Sequence, residues 1–333
     1  MDMRVAVVGA GSWGTTVAHL AAHNTTTVLH SRRADVADAI NEHHENPRYL
    51  EGYRLHPELT SSTDLAEVVA GADVLVMGVP SHGFRETLQE LAPSVRPWVP
   101  VVSLAKGLER GTAKRMTEVA EEELSGHPAG VLTGPNLAKE ILAGNAAAAV
   151  IAFDDLTIAE RLQEVFSSAL FRVYTNTDVI GCELGGALKN IIALAAGMAD
   201  GLGTGDNTRA AVITRVLAEL TRLGVAMGGE PATFAGLAGM GDLVATCISH
   251  QSRNRYVGEQ LGRGRTLDEI IEEMNQVAEG VKSAPVVARL GRDLGVELPI
   301  AEEICAVIQE GRSATEAYRG LVQRPATQES DIG

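Results

Sequence analysis

A buried strand, a glycine-rich turn and a helix follow one another at the start of the chain, and this order constrains the fold more than any other feature. Residues 5–8 are four consecutive apolar residues and predict a strand that is buried on both faces. The turn that follows has the spacing Gly-x-Gly-x-x-Gly, with Gly9, Gly11 and Gly14. In such a turn the first glycine permits the bend, the second lets a pyrophosphate approach the backbone, and the third lets the helix pack on the sheet. The sequence therefore predicts a dinucleotide site, although a glycine triplet by itself also fits a structural turn.

Two arginines follow the predicted second strand, which covers residues 25–30. They lie about twenty residues beyond the glycines, at the position where a dinucleotide-binding fold contacts the adenine ribose. An acidic residue at this position favours NAD. Arg32 and Arg33 favour the 2′-phosphate of NADP instead, although arginine also stacks on adenine, and a solvated pair at a helix start fits the same residues. The sequence thus favours NADPH slightly and leaves NADH open.

Strands alternate with helices through the first half of the chain. Further strands are predicted over residues 73–79, 99–103, 130–132, 146–153 and 171–174, and helices over residues 66–69, 137–143 and 158–166. This alternation predicts an α/β fold with a doubly wound sheet that is parallel at least through its first half. Residues 46–52 contain turn residues and predict a loop.

The pattern changes from about Thr177, where strands stop and helical periodicity begins. Helices are predicted over residues 182–198, 208–223, 267–273, 283–293 and 301–310. This shift predicts two domains, a dinucleotide-binding domain at residues 1–178 and an all-helical substrate-binding domain at residues 179–333. The polar tail from about residue 323 is expected to be frayed.

Composition narrows the classes of function. The 333 residues carry a formal charge of −15, from 28 Lys+Arg against 43 Asp+Glu, which disfavours nucleic acid and anionic membranes as partners. Cys182, Cys247 and Cys305 are widely spaced, which indicates reduced thiols in a cytoplasmic protein and no metal site. The chain leaves no room for a signal peptide before its first strand, and its most apolar run, residues 191–199, is too short to span a bilayer. The oligomeric state is not specified, and a homodimer is the commonest expectation.

Two lysines are candidates for the chemistry. Lys106 follows a buried strand, so it is expected at the sheet edge where α/β folds bind ligands, although a lysine at a strand end also occurs as a solvated cap. Lys189 is the only basic residue in the helical segment 183–197, whose small residues let another surface approach. An ammonium in apolar surroundings loses hydration, and its pKa falls towards the range useful for proton transfer. A surface lysine on an amphipathic helix is the alternative.

Three further candidates lie in the second half. Asp242 stands near a predicted helix start, where a carboxylate either caps the helix or holds a substrate hydroxyl and the lysine. Residues 252–255, Ser-Arg-Asn-Arg, place two guanidinium groups around two polar side chains, which suits a phosphate clamp in an acidic chain. The same run also fits a solvated surface. Glu279 offers one carboxylate beside a glycine and indicates little by itself.

In order and spacing, these motifs resemble those of the bacterial-type NAD(P)-dependent glycerol-3-phosphate dehydrogenase family, from Val5 to about Ala317. The resemblance is carried by Gly9-Ala10-Gly11-Ser12-Trp13-Gly14-Thr15, Ser103-Leu104-Ala105-Lys106-Gly107-Leu108-Glu109, Thr133-Gly134-Pro135, Leu188-Lys189-Asn190, Gly239-Met240-Gly241-Asp242-Leu243 and Ser252-Arg253-Asn254-Arg255. It implies a Rossmann-like first domain. It also implies the reversible reduction of dihydroxyacetone phosphate to sn-glycerol 3-phosphate with NAD(P)H, at the head of phospholipid synthesis.

The resemblance implies roles for individual residues. Lys189 matches the family's proton-transfer lysine, and Lys106 matches a residue that touches both cofactor and substrate. Further substrate contacts are implied at Gly134, Asp242, Ser252, Arg253 and Asn254. Positions around the dinucleotide are implied at Ser12, Trp13, Arg32, Arg33, Lys106, Ala138, Arg253, Val277 and Glu279. Asn136 stands where the family usually has serine, and it is expected to contact substrate although asparagine is bulkier.

Two other functions fit parts of the pattern. A related two-domain reductase of another small keto acid, of the ketopantoate-reductase or 3-hydroxyacid type, also places a lysine and an asparagine on a helix. Residues 252–255 favour a phosphorylated substrate over these acids. A protein that senses NAD(P)H without turnover is the alternative from a different class. The sequence contains no DNA-binding helix pair with a basic face.

Overall fold

The structure, a computed structural model, describes residues 3–249, 252–274 and 278–322. The chain divides into two units, Met1–Glu183 and Leu184–Gly333. The assignment of residues 1–178 to dinucleotide binding and residues 179–333 to substrate binding stays a prediction. Val277 and the tail from about residue 323, both singled out from the sequence, lie outside the described residues.

The first unit is built on strands. They are β1 (Arg4–Val8), β2 (Thr26–His30), β3 (Glu45–Asn46), β4 (Leu50–Arg54), β5 (Thr60–Ser62), β6 (Val74–Met77), β7 (Val101–Ser103), β8 (Ala129–Thr133), β9 (Ala147–Ala152) and β10 (Phe171–Asn176). Eight of them form one sheet in the order β10-β9-β8-β7-β6-β1-β2-β5, and β3 and β4 form a separate hairpin. Within the large sheet, β8 and β9 pair antiparallel and the other neighbours pair parallel, which confirms the predicted parallel first half.

Helices cover both faces of this sheet. They are α1 (Ser12–Ala22), α2 (Ala34–His43), α3 (Leu65–Ala70), α4 (Ser81–Leu91), α5 (Met116–Glu123), α6 (Ala138–Leu142) and α7 (Leu156–Phe166), with a 3-10 turn at Ala92–Ser94. Because side chains alternate along a strand, Val5 and Val7 of β1 pack in one apolar cluster with α1, α2 and α7. Ala6 and Val8 pack in a second cluster with α3, α4 and α5. The predicted doubly wound sheet is therefore confirmed.

Helix α8 (Val179–Gly201) begins in the first unit and continues into the second. The second unit then contains α9 (Asp206–Ala226), α10 (Pro231–Ala235), a π-helical segment (Leu237–Gly241), α11 (Asp242–Ile248), α12 (Arg253–Gly262), α13 (Leu267–Glu273), α14 (Glu279–Leu294), α15 (Pro299–Gln309) and α16 (Ala314–Val322). No strand occurs among the residues of this unit that the structure describes, in agreement with the predicted all-helical half.

Close packing of α8 against α12 depends on two pairs of glycines, each four residues apart. A Cβ on Gly197 of α8 would overlap with the carbonyl oxygen of Arg255, and a Cβ on Gly258 of α12 would overlap with that of Leu194. Gly201 and Gly262 are in contact one turn further along each helix. The small residues of α8 therefore bring another backbone close, as the sequence predicts.

The sequence pattern misses the hairpin of β3 and β4, which is predicted as a loop. These strands are short and largely exposed, so they carry no apolar alternation. The hairpin is held instead by the buried Asn46, whose Nδ2 donates to the carbonyl oxygen of Ala10 (3.0 Å) and to Oγ1 of Thr15 (2.9 Å). Tertiary hydrogen bonds thus tie the hairpin to the glycine-rich turn.

Two described segments are long and apolar enough to cross a membrane, Val179–Gly201 and Pro231–Ile248. The first has a mean hydropathy of 1.5, but 89% of its most apolar window is buried, which is typical of a core helix. It extends beyond the apolar run at residues 191–199, which the sequence predicts to be too short to span a bilayer. The second combines α10, the π-helical segment and α11, so it is not one regular helix.

Three histidines near the end of α1 make the stability of the first unit dependent on pH. Burial, together with the neighbouring rings of His23 and His56, lowers the pKa of His19 from 6.5 to about 4. Nδ1 of His19 accepts a hydrogen bond from the backbone N–H of His56 (2.9 Å). Between pH 6.5 and 4 the unfolded chain therefore binds more protons at this site than the folded one.

We expect this contribution to be fully present above pH 6.5 and to be lost as the pH falls towards 4. Its size is about 1–3 kcal/mol after allowance for partial solvent screening. Urea unfolding at stepped pH measures it, with His19→Asn keeping an acceptor for the His56 N–H while removing the titration. The control is His43→Asn on an exposed residue of α2. Identical pH slopes for the wild type and His19→Asn would contradict the prediction.

Candidate active site

The glycine-rich turn follows β1 beside the end of β6, the point at which the strand order reverses direction and α/β sheets bind their ligands. Gly9 has a φ of +114°, and a Cβ on it would lie 2.7 Å from the carbonyl oxygen of Gly78. A Cβ on Gly14 would overlap with the carbonyl oxygen of Gly9, whereas a Cβ on Gly11 would meet nothing within 4 Å. The three glycines therefore provide the bend, the open approach and the close helix packing that the motif predicts.

The start of α1 fits an anionic ligand. Gly11 is the N-cap and supplies no side-chain acceptor to the N–H groups of the first turn. Such N–H groups bind phosphate readily, and the exposed side of Gly11 leaves room for it. Ser12 donates from Oγ to the carbonyl oxygen of Tyr49 (3.4 Å), and Nε1 of Trp13 is buried without a hydrogen-bond partner among the described residues. A dinucleotide fits this turn.

The two arginines after β2 differ in their surroundings. Arg33 precedes α2 and donates from Nε (2.9 Å) and Nη2 (2.8 Å) to the two carboxylate oxygens of Asp35. Arg32 is exposed. Both lie at the end of β2, where the sequence places the adenine ribose, and their contact with a cofactor stays a prediction.

Polar groups gather where β7 and β8 end. Nζ of Lys106 donates to the carbonyl oxygen of Gly134 (2.9 Å), so the lysine points along the carboxyl edge of the sheet. Among the described residues, Oγ1 of Thr133 and both amide atoms of Asn136 are buried without a hydrogen-bond partner. Such groups cost about 1–3 kcal/mol each unless a partner satisfies them, so they fit a polar ligand. Ala138 is the first residue of α6, directly beyond this turn.

Lys189 lies on α8 and is only 9% exposed. Its Nζ forms an ion pair with Oδ1 of the buried Asp242 and donates to Oγ1 of Thr246 (2.9 Å). The ammonium therefore contacts two oxygen atoms, one of a carboxylate and one of a hydroxyl. Its surroundings are less apolar than the sequence predicts. Thr246 is missing from the sequence prediction, although its position four residues after Asp242 places both side chains on one face of α11.

A close approach of backbone brings Asp242 to Lys189. The π-helical segment Leu237–Gly241 leads directly into Asp242, and π-helical turns are common at functional sites. A Cβ on Gly185 would lie 2.7 Å from the carbonyl oxygen of Ala238, so only glycine lets this segment reach α8. Gly185 is four residues before Lys189 and therefore on the same face of α8.

The structure corrects the predicted clamp at residues 252–255. Arg255 donates from Nε (3.0 Å) and Nη2 (2.8 Å) to Oδ2 of Asp200, and its side chain is 15% exposed. Arg253 is exposed at the first position of α12. Residues two apart on a helix point in nearly opposite directions, so the two guanidinium groups cannot act as one clamp. Oγ of Ser252 accepts from the backbone N–H of Arg255 (3.3 Å) and caps α12.

Asn254 joins three helices of the second unit. Its Nδ2 donates to Oδ1 of Asn190 on α8 (2.8 Å), and its Oδ1 accepts from the backbone N–H of Gly280 on α14 (2.9 Å). Asn254 therefore holds the side chain of Asn190, the residue next to Lys189, in a fixed position, a role that the sequence does not predict.

Glu279 is the first residue of α14 and is half-buried. The substrate and cofactor contacts implied for these residues stay predictions.

The start of α8 is anchored by Glu183, another residue whose role no local sequence pattern indicates. Its fully buried carboxylate accepts from the backbone N–H (3.0 Å) and Oγ1 (2.6 Å) of Thr117 and from Nη1 of Arg115 (3.2 Å). Burial raises the pKa of Glu183, and Arg115 and Thr117 oppose that rise. A buried acid that is bonded this completely holds α8 to the start of α5.

Comparisons with known proteins agree on one family. The model of the NAD-dependent glycerol-3-phosphate dehydrogenase N-terminus matches residues 4–159, and that of the C-terminus matches residues 178–319. Glycerol-3-phosphate dehydrogenase (NAD(P)+) 2 of Sphingopyxis alaskensis is 58% identical over 333 residues, which cover 100% of both chains. Glycerol-3-phosphate dehydrogenase (NAD(P)+) of Mycobacterium avium is 56% identical over 322 residues, 96% of this chain and 94% of that one.

Solved structures share the whole fold. The crystal structure of glycerol-3-phosphate dehydrogenase from Coxiella burnetii matches with a TM-score of 0.91 and 35% identity, covering 97% of this chain and 99% of that one. A ketopantoate reductase from Ralstonia eutropha matches with a TM-score of 0.58 and 16% identity, covering 96% of this chain and 100% of that one. The second similarity is one of fold alone.

Proposed function

The chain belongs to the NAD-dependent glycerol-3-phosphate dehydrogenase family, and from this premise we infer that it interconverts dihydroxyacetone phosphate and sn-glycerol 3-phosphate with NAD(P)H. It is an NAD(P)-dependent oxidoreductase whose product supplies glycerophospholipid synthesis. The observation that carries this assignment is the buried ammonium of Lys189, held by Asp242 and Thr246 in a chain whose glycine-rich turn fits a dinucleotide.

Lys189 is proposed as the proton donor. NAD(P)H, when bound, supplies the hydride to the ketone carbon, so negative charge develops on the carbonyl oxygen. The ammonium of Lys189 stabilises that charge and gives its proton to the oxygen, and in the reverse direction the amine takes the proton from the hydroxyl. Asp242 and Thr246 each bind Nζ, so they fix the direction in which the remaining N–H points.

Cationic side chains are proposed to bind the phosphate of the substrate. The chain as a whole is acidic, at −15, so a phosphorylated substrate needs local positive charge. Lys106 of the first unit is one candidate, and the exposed Arg253 of the second unit is a separate candidate. Arg255 donates to Asp200. Binding a group remote from the reacting carbon positions the ketone, and its loss lowers turnover as well as affinity.

Asn136 and Thr133 are proposed to contact the ligand through their unpaired polar atoms. These atoms are buried where β8 ends, beside Gly134, whose carbonyl oxygen accepts from Lys106. An asparagine offers a donor and an acceptor together, whereas the serine usual in the family offers one hydroxyl. Substrate contact by Asn136 is thus supported by its unsatisfied amide.

A cytoplasmic location is also proposed. All three cysteines of the described residues are free thiols, and Cys182 and Cys247 are buried. Burial raises the pKa of Cys247 to about 12, which keeps the thiol protonated and unreactive. Free thiols of this kind are typical of reducing compartments.

We expect the purified chain to consume NADPH or NADH only when dihydroxyacetone phosphate is present, as followed by the absorbance of the reduced nicotinamide. Unphosphorylated dihydroxyacetone should show a kcat/KM at least about 10³-fold lower, because the remote phosphate no longer positions the ketone. Ketopantoate serves as the control substrate from the related fold. Binding of NADPH without turnover would favour a sensor, and faster turnover of ketopantoate would favour the other reductase.

A further inference from the structure

Two guanidinium groups and one carboxylate follow β2 within five residues along the chain, on Arg32, Arg33 and Asp35. Arg33 is held by a bidentate ion pair with Asp35, with distances of 2.9 and 2.8 Å. Both side chains are largely exposed, at 51% and 63%, so the pair is accessible from solvent. An exposed pair of this kind contributes little stability, about 0–1 kcal/mol, and a stronger anion can displace the carboxylate.

The hairpin of β3 and β4 carries a third arginine, Arg48, beside Tyr49. Asn46 binds the hairpin to Ala10 and Thr15, and Ser12 donates to the carbonyl oxygen of Tyr49. The guanidinium of Arg48 lies 5.6 Å from the centre of the Tyr49 ring, and the Tyr49 phenol is within electrostatic range of Arg33. The hairpin therefore connects the glycine-rich turn to the arginines beyond β2.

The segment between β2 and α2 offers no carboxylate that is ready for a ribose diol. Between residues 30 and 35 the only acidic residue is Asp35, and both its oxygens are on Arg33. Ser31 is buried, and its Oγ donates to the backbone oxygen of Arg33 (3.1 Å) and accepts from its N–H (3.2 Å). A carboxylate at this position selects NAD, whereas arginines accommodate a 2′-phosphate.

We propose that Asp35 and the 2′-phosphate of NADP(H) compete for the guanidinium of Arg33, while Arg32 and Arg48 complete the phosphate site. Because NADP(H) must displace Asp35 and NAD(H) need not, Asp35 makes the preference for NADP(H) over NAD(H) smaller than it would be without this carboxylate. A phosphate monoester carries a charge of about −1.5 to −2 and three acceptor oxygens, so it attracts the guanidinium more strongly than a single carboxylate does and displaces Asp35 when it binds. NAD(H), which lacks the phosphate, leaves the pair intact.

This inference rests on the proposed function only in taking NAD(P)(H) as the cofactor, and its test needs no turnover. Isothermal titration compares adenosine 2′,5′-bisphosphate with adenosine 5′-monophosphate, two probes that differ by the 2′-phosphate. The wild type should bind the bisphosphate more tightly. Asp35→Asn should raise bisphosphate affinity about five- to tenfold and change monophosphate affinity by less than about twofold, because only the former gains Arg33.

Two further variants distinguish the specific effect of Asp35 on the bisphosphate affinity from the effect of removing any negative charge nearby. Asp38→Asn removes the same charge from an exposed residue one turn further along α2, and it should change both affinities by less than about twofold. Arg48→Gln should lower bisphosphate affinity about five- to tenfold without changing that for the monophosphate. Equal gains for both probes in Asp35→Asn, an equal gain in Asp38→Asn, or a wild type that does not distinguish the probes would overturn the proposal. Failure of dihydroxyacetone phosphate reduction, measured separately, would concern the proposed function instead.

Discussion

Replacing Lys189 by alanine is expected to lower kcat for dihydroxyacetone phosphate reduction by about 10³- to 10⁴-fold. A positioned general acid contributes about 10²- to 10⁴-fold, and stabilisation of the developing oxyanion by the same ammonium adds to this. KM should change far less, because the lysine acts mainly where charge develops. Steady-state kinetics with saturating NADPH measures both constants.

The variant also leaves Asp242 buried without its cation, which destabilises the fold by about 3–5 kcal/mol. The double variant Lys189→Ala with Asp242→Asn removes both charges and restores stability without restoring turnover. Added primary amines should recover part of kcat in Lys189→Ala, an effect that a structural role would not produce. The control is Lys114→Met, which removes a surface lysine paired with Glu122. Near-normal turnover of a folded Lys189→Ala protein would show that the proton comes from another group.

Replacing Gly258 by alanine is expected to lower the thermal midpoint of the helical half by about 5–10 °C. The added methyl group would overlap with the carbonyl oxygen of Leu194 on α8. Two backbones must then separate, because neither can rotate out of the way as a side chain would, and overpacking of this kind costs about 2–4 kcal/mol. Thermal unfolding followed by circular dichroism measures the change.

Gly205→Ala is the matched control for this variant. Gly205 precedes α9, has a φ of −73°, and a Cβ on it would meet nothing within 4 Å. Gly205 is the N-cap of α9, where alanine is less favourable than glycine, so the midpoint should fall by only about 1–3 °C, because the new methyl group has space and the backbone angle is ordinary. Equal shifts in the two variants would show that glycine content, rather than the contact between α8 and α12, determines the effect.

Patterns within a few residues were sufficient to predict the elements that carry most of the fold. The buried strand before the glycines, the three different uses of Gly9, Gly11 and Gly14, and the helix Leu267–Glu273 all agree with the sequence prediction. These features depend on the period of apolar residues and on backbone sterics, which neighbouring residues determine. The hairpin of β3 and β4 has neither property, and it was missed.

The environment of the chemical groups was decided only by the tertiary structure. Asp242 reaches Lys189 from 53 positions along the chain, and Asp200 takes Arg255 from 55 positions away. These two ion pairs form because α8 packs closely against α11 and α12. No local sequence pattern predicts the distances between these helices. The sequence by itself determined which residue types are available for hydride and proton chemistry. Folding determined which of them are paired, because an ion pair depends on a separation of a few ångströms between distant segments.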